Sequence, residues 1–138
     1  FSHGSLELTR ALERGLGVNQ ERAESLKREI GLSDRMEDRE TTTILSPLIE
    51  ILFEEIARSI SLYNRHATRH IQRMILVGSG SNLRGMVDQA SIKFGMEVGK
   101  GNPFSRVAAP AFLQPVLREI GPGFAVAVGL ALHAIATD

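Results

Sequence analysis

The chain has 138 residues, carries 16 Lys and Arg against 16 Asp and Glu, and is 43% hydrophobic. Such a length and composition fit one compact domain or a closely packed pair of small ones. The neutral charge, single tyrosine and lack of tryptophan argue against a nucleic-acid surface, and the lack of cysteine excludes disulfides and thiolate metal sites. Because the chain begins at Phe1 and not at a methionine, we expect it to be a piece of a longer protein.

Apolar periodicity predicts two helices at the start of the chain. Leucines recur every four residues over 5–16, which indicates an amphipathic helix. Asn19 is a good helix cap, and the apolar stripe that follows it predicts a second helix over 20–30. Gly31 is the expected stop of that helix.

A long helix and a strand are predicted in the middle of the chain. Residues 33–43 are polar and are expected to form a loop, and the next apolar stripe predicts a helix over 46–66 with Pro47 in its first turn. The unbroken apolar run at 74–77 predicts a strand over 73–77 that is covered on both faces. Another helix is expected to follow and to end near Phe94.

The C-terminal third is expected to contain a short strand and a buried helix. Residues 97–99 suit a strand, and 105–119 suit a loop with a short helical piece. The stretch 124–136 is apolar nearly all round, which is typical of a buried helix. It is shorter than the roughly 20 apolar residues of a membrane span, so no direct membrane insertion is expected.

A loop of small residues follows the predicted strand at 73–77, and its five members are Gly78, Ser79, Gly80, Ser81 and Asn82. Glycines allow a ligand to approach the main chain, and free N–H groups at a helix start favour anions and polar ligand groups. All five residues are therefore candidate nucleotide contacts. A plain strand-to-helix turn has the same pattern, and the loop lacks both the dinucleotide glycine register and the Gly-Lys-Ser/Thr of a P-loop.

Glu24 and Lys27 lie three residues apart on one face of the second predicted helix. Such a pair is commonly a surface ion pair worth about 0.2–0.5 kcal/mol. The functional alternative is that the carboxylate accepts hydrogen bonds from ribose hydroxyls and the ammonium donates to a nucleotide. Both residues are candidate nucleotide contacts on this hypothesis.

His66 and His70 have the i,i+4 spacing of a zinc pair, but no third ligand is evident and nearby arginines disfavour a cation. A solvated helix end is the simpler interpretation. Ser79 and Ser81 have no adjacent base in the sequence, and no Gly-x-Ser-x-Gly elbow occurs. The sequence therefore predicts no catalytic residue and no metal ligand.

Four segments, in order, resemble motifs of the actin-like ATPase superfamily. Residues 4–9 are similar to its Gly-Gly-x-x-hydrophobic-Thr segment, and residues 23–27 match its Ala-Glu-x-x-Lys motif, whose acid and lysine flank the adenosine. Residues 78–85 resemble the adenosine loop, and residues 124–131 resemble the buried C-terminal helix. The family usually has a second glycine where this chain has Ser5, and another where it has Ser79, so the chain departs from the family pattern at both positions.

Within that superfamily the chain is most similar to the PilM family of type IV pilus assembly proteins, through residues 102–104 and the terminal apolar helix. The resemblance implies an α/β fold, as a fragment of an actin-like ATPase. Residues 1–45 would form the small helical subdomain of its second lobe. Residues 46–138 would form the later part of its ribonuclease-H-like sheet subdomain.

The resemblance also implies a function. The chain would be the C-terminal adenosine-contacting part of a cytoplasmic ATP-binding protein, peripheral at the inner membrane, that couples nucleotide state to the pilus assembly platform. The cofactor would be ATP, with Mg²⁺ held mainly by residues outside this chain, so the chain would be at most part of an ATPase. The partner would be a PilN-like cytoplasmic tail, bound mainly by the first lobe.

Two alternatives remain open at this point: a cell-division protein of FtsA type, and a scaffold or filament module that does not bind nucleotide. A sheet that lacks its first strands exposes an edge and apolar faces. We expect these to be covered by the remaining part of the same protein or by self-association.

Overall fold

The structure is a computed structural model that describes residues 4–137, and the predictions that involve residues 1–3 and 138 lie outside that range. Within the described range the chain is mostly helical and has one small parallel sheet. The helices and strands are α1 (Ser5–Leu16), α2 (Gln20–Glu29), α3 (Arg39–His66), β1 (Arg73–Leu76), α4 (Met86–Phe94), β2 (Glu97–Lys100), α5 (Gln114–Ile120) and α6 (Ala125–Thr137). Short 3-10 helices occur at Met36–Asp38, Ser79–Asn82, Pro103–Arg106, Ala111–Leu113 and Gly121–Phe124.

The first two helices confirm the sequence prediction. α1 buries Leu8 and Leu12 and ends at Gly17, whose φ of 66° lies in the left-handed region that favours glycine. At the start of α2, the Asn19 side chain accepts a hydrogen bond from the backbone N–H of Arg22. The two helices pack against each other, and α1 also packs against α3.

α3 begins seven residues before its predicted start, so the predicted loop at 33–43 is helical from Arg39 onward. The reason is packing: Thr41 and Leu45 in this added part of the helix are buried in the core, and burial outweighs the low helix propensity of the threonines. Pro47 lies inside the helix and not in its first turn. The predicted division between residues 45 and 46 falls within α3, and that division stays a prediction.

β1 and β2 pair in parallel, from Arg73 opposite Glu97 to Leu76 opposite Lys100, and α4 connects them. Within residues 4–137 the sheet has only these two strands. The strand prediction is therefore confirmed, but its coverage on both faces is not, because Ile75 is 59% exposed.

One apolar core holds α1–α4 and the sheet together. Phe53 of α3 and Phe94 of α4 meet edge to face, with 5.4 Å between ring centroids. The buried apolar side chains of this core are Leu8, Leu12, Ala23, Leu32, Leu45, Ile49, Phe53, Leu83, Met86, Ala90 and Val98. None of them belongs to the C-terminal segment, which we define as residues 103–137 and in which Pro122 is buried outside this core.

The C-terminal segment differs from the prediction of a buried helix. α6 occupies the predicted position, but Val126 is 76% exposed and Ile135 is 74% exposed. The prediction that this helix is buried is therefore wrong for the described chain. Within the described residues α6 packs mainly on the 3-10 turns at Pro103–Arg106 and Gly121–Phe124, and these short turns leave much of its apolar surface uncovered.

A longer apolar stretch, Ala111–Ala136, has the length and composition to cross a membrane. The stretch contains the polar residues Gln114, Arg118 and Glu119, and the expectation of no direct membrane insertion stays a prediction. The stretch includes α5, the 3-10 turn at Gly121–Phe124 and α6. A single segment of this kind is weak evidence for a membrane span, because helices of soluble proteins pass the same test.

Candidate functional site

The two sequence stretches that were predicted to contact nucleotide meet at one cleft of about 740 Å³. Glu24 and Lys27 of α2 line one side, and Ser79, Gly80 and Asn82 line the other. α1 supplies further lining, including Ser5 and Thr9. The cleft is therefore bounded by α1 and α2 on one side and by the 78–82 loop on the other.

Two glycine turns bring these sides together. Gly31, just after α2, has φ +58°, and a Cβ there would lie 2.7 Å from the carbonyl oxygen of Arg84. Gly85, just before α4, has φ +80°, and a Cβ there would lie 2.9 Å from the carbonyl oxygen of Leu32. The Leu32 N–H donates to the Arg84 carbonyl at 2.9 Å. Only glycine fits this backbone contact at both positions.

Four polar side chains form what we call the Glu24 cluster, made of Ser5, Thr9, Glu24 and Lys27. The Lys27 ammonium donates to Glu24 Oε2 at 2.6 Å, to the Thr9 and Ser5 hydroxyls at 2.8 Å each, and to the Ser5 carbonyl at 3.1 Å. The Thr9 hydroxyl donates to Glu24 Oε2 at 2.7 Å. The cluster joins α1 to α2 at the side of the cleft.

All N–H groups of the Lys27 ammonium have acceptors within this cluster. The Lys27 side chain is only 7% exposed, and an ammonium has three N–H groups for the four acceptors around it. The sequence allowed a simple surface ion pair, but in the structure α1 covers the Lys27 side of the pair while Glu24 stays partly exposed. Whether Lys27 also contacts a nucleotide stays a prediction.

Glu24 is ionised in this setting. Burial alone raises the pKa of its carboxyl, but hydrogen bonds from Lys27, Thr9 and Arg28 outweigh burial and lower that pKa to about 2. Arg28 Nε donates to Oε1 at 3.0 Å from a largely exposed side chain. The carboxylate therefore presents an acceptor oxygen whose protein partner is solvated and can move.

The 78–82 loop is held mainly by its own backbone and by the turn before α6. Gly78 has φ +89°, and its N–H donates to the Pro122 carbonyl at 2.7 Å. The buried Ser81 hydroxyl donates to the Gly78 carbonyl at 2.7 Å, and the Asn82 amide donates to the Glu119 carbonyl at 3.0 Å. Gly78 and Ser81 do not line the cleft, which leaves Ser79, Gly80 and Asn82 on its surface.

Several residues that line the cleft were not predicted from the sequence. Arg28 and Lys100 bring positive charge to the cleft. Glu119 and Phe124 of the C-terminal segment also line it. Arg28 could have been found, since it lies four residues after Glu24 on the same helix. The others come from distant elements, and no local pattern places them at the cleft.

The histidine pair gains no support as a zinc site. His66 is the last residue of α3 and His70 lies beyond the helix, so the i,i+4 spacing does not place them on one helical face. In the described part of the chain, no group of three or more His, Asp or Glu side chains could hold a metal ion.

Residues 1–135 match the family model described as type IV pilus assembly protein PilM. The chain belongs to the PilM family. This confirms the resemblance to this family drawn from the sequence. No curated protein matches this PilM-family chain closely enough to count as a relative.

A solved structure, the PilM-PilN type IV pilus biogenesis complex, contains a similar chain, with a TM-score of 0.81 and 28% sequence identity. The similarity covers 96% of this PilM-family chain and 37% of that chain. This chain therefore spans just over a third of the length of its structural relative. The wider actin-like ATPase lobe stays a prediction.

Proposed function

We propose that this chain is the adenosine-binding part of a PilM-type protein that binds ATP and couples its nucleotide state to the pilus assembly platform. The observation that carries the proposal is the Glu24 carboxylate, ionised at the edge of a cleft of about 740 Å³ and facing the 78–82 loop across it. A fixed carboxylate is a strong acceptor for sugar hydroxyls. A glycine loop allows a flat base to approach the main chain.

In this arrangement Glu24 accepts from the ribose, and the surface of Ser79 and Gly80 lies against the base. Arg28 and Lys100 give the cleft cationic groups that suit an anionic ligand. The phosphates and Mg²⁺ would be held mainly by residues outside this chain, so the proposal assigns no catalytic residue here.

Calorimetric titration of ATP into the full-length protein tests the proposal. Loss of a hydrogen bond to a charged group costs about 1.5–3 kcal/mol, so Glu24→Gln is expected to weaken ATP binding roughly 10- to 100-fold. Glu21→Gln is the matched control, because Glu21 is exposed on the same helix and does not line the cleft. Unchanged ATP affinity in the Glu24 variant would show that the site is assigned wrongly.

The partner is proposed to be the cytoplasmic tail of a PilN-type protein, bound outside this chain. The support is that the similar chain comes from a PilM-PilN complex. If ATP binding is coupled to the platform, the full-length protein will bind such a tail with different affinity in the presence and absence of ATP. Identical affinities would contradict the coupling and leave ATP binding itself untouched.

A scaffold without nucleotide is the second candidate function, and one observation favours it. The Glu24 cluster is complete without a ligand, and no buried side-chain N or O atom in the described residues lacks a hydrogen-bond partner. On this alternative the cluster only fastens α1 to α2. The same titration separates the two, since a scaffold gives no ATP binding in the wild-type protein.

A further inference from the structure

We infer that Thr9 is a positioning residue that makes the cleft prefer nucleotides with both ribose hydroxyls to their 2′-deoxy or 3′-deoxy analogues, acting through Glu24. The inference rests on the proposed function. It goes further because it assigns a role to a side chain on α1 and names the ribose hydroxyls as the part of the ligand that is recognised.

The first step is how the two oxygens of Glu24 are used. Each carboxylate oxygen has about two acceptor positions. Oε2 receives the Thr9 hydroxyl at 2.7 Å and the Lys27 ammonium at 2.6 Å, so both of its positions are filled. Oε1 receives Arg28 Nε at 3.0 Å. One position on Oε1 is left for a ligand hydroxyl, and a second becomes available when Arg28 moves.

The second step is how firmly the carboxylate is oriented. Thr9 is 1% exposed, and Lys27 is 5% exposed. Both are held on their own helices, so together they fix the Oε2 side of Glu24 to the protein. Arg28 is different, because 77% of its side chain is exposed. The protein therefore fixes one oxygen and leaves the other to exchange Arg28 or water for a ligand.

The third step is what such a carboxylate selects. A fixed Oε1 can meet a hydroxyl of the ribose ring only in one orientation, and a ligand without that hydroxyl leaves a charged acceptor desolvated and unpaired. Discrimination against the deoxy analogue then depends on how well the carboxylate is held. Without the Thr9 hydroxyl, Oε2 loses one of its two donors and the carboxylate can turn to satisfy itself in other ways.

The experiment measures the affinities of the full-length protein for ATP, 2′-deoxy-ATP and 3′-deoxy-ATP. The wild-type protein is expected to bind at least one deoxy analogue about 10-fold more weakly than ATP. Thr9→Val and Thr9→Ala are expected to bring that ratio to within about threefold of one, whereas Thr9→Ser, which keeps the hydroxyl, retains it. Two variants without the hydroxyl are used so that misfolding of one does not decide the result.

Thr42→Val is the matched control, because the Thr42 hydroxyl donates to the Ser33 carbonyl on another part of the molecule. It is expected to leave the ratio unchanged. If both hydroxyl-free Thr9 variants weaken all three nucleotides equally, Thr9 has only a structural role and the inference is overturned. If the wild-type protein binds ATP but does not discriminate, the inference also fails while ATP binding stands. Absence of any ATP binding overturns the proposed function, and the inference with it.

Discussion

The helices α1–α3 and the C-terminal segment are both rich in apolar residues, yet the structure covers them very differently. Leu12 and Leu45 are fully buried, and Ile49 is 2% exposed. In α6, by contrast, Leu130 is 66% exposed and Val126 is 76% exposed. The comparison shows that apolar periodicity predicts a helix, whereas its burial depends on what other elements lie beside it.

The largest expected effect is the difference in unfolding free energy between alanine variants of one leucine from each region. Leu45→Ala leaves a cavity in the core and is expected to lower the free energy of unfolding by about 2–5 kcal/mol. Leu130→Ala removes a mostly exposed side chain and is expected to change it by less than about 0.5 kcal/mol. Urea unfolding of the 138-residue chain measures both. Equal losses in the two variants would mean that α6 is covered as well as the core.

The second prediction concerns the glycine contact that closes the cleft. Gly31→Ala combines a left-handed backbone with a Cβ close to the Arg84 carbonyl, and is expected to cost about 2–4 kcal/mol in unfolding free energy. Gly17→Ala is the matched control, because Gly17 has a similar φ of +66° but open space around its Cβ. It is expected to cost only about 1–2 kcal/mol. Equal costs would show that the two turns do not meet as described.

The third prediction is a pH dependence that comes from Glu24. Its pKa is lowered from 4.5 to about 2 in the folded chain, so its stabilising effect is present above pH 4.5 and is lost as the pH falls towards 2. A full shift of that size is worth roughly 3 kcal/mol, which we reduce to about 1–2 kcal/mol because a third of the side chain is exposed.

This contribution of Glu24 can be checked by measuring the unfolding free energies of the wild-type chain and of Glu24→Gln between pH 2.5 and pH 7. The difference between the two proteins is expected to shrink as the pH falls below 4.5. The variant Glu21→Gln should run parallel to the wild-type chain. A difference that grows at low pH would have the wrong sign for a lowered pKa.

The smallest expected effect concerns Ser5. Its hydroxyl accepts a hydrogen bond from the Lys27 ammonium at 2.8 Å. Ser5→Ala is expected to cost about 0.5–1 kcal/mol in unfolding free energy, since Lys27 keeps its other acceptors. Ser59→Ala, on the exposed side of α3, serves as control and should change it less. An equal effect in both variants would remove Ser5 from the Glu24 cluster.

Local sequence signals predicted the positions of the helices better than they predicted which residues of those helices are buried. The leucine spacing of α1, the Asn19 cap and the Gly31 stop each act within one turn of helix, and all three appear where expected. The early start of α3 was missed, because it depends on the burial of Thr41 against other elements. The exposure of α6 was missed for the same kind of reason.

The candidate site shows the same limit. The Glu24–Lys27 spacing predicted an ion pair that the structure contains, but the burial of Lys27 depends on Thr9 and Ser5 from a different helix. Local geometry could not predict that contact, nor the approach of Gly31 to Arg84. The resemblance to a family supplied the long-range pairing of α2 with the 78–82 loop, which spacing alone did not contain.

Photoaffinity labelling of the full-length protein with 8-azido-ATP, followed by mass spectrometry, tests the central claim most directly. The account predicts labelled peptides from both sides of the cleft, within residues 20–31 and 78–83, and loss of the label when unmodified ATP competes. Labelling confined to other parts of the protein, or labelling of these peptides that ATP does not reduce, would contradict it.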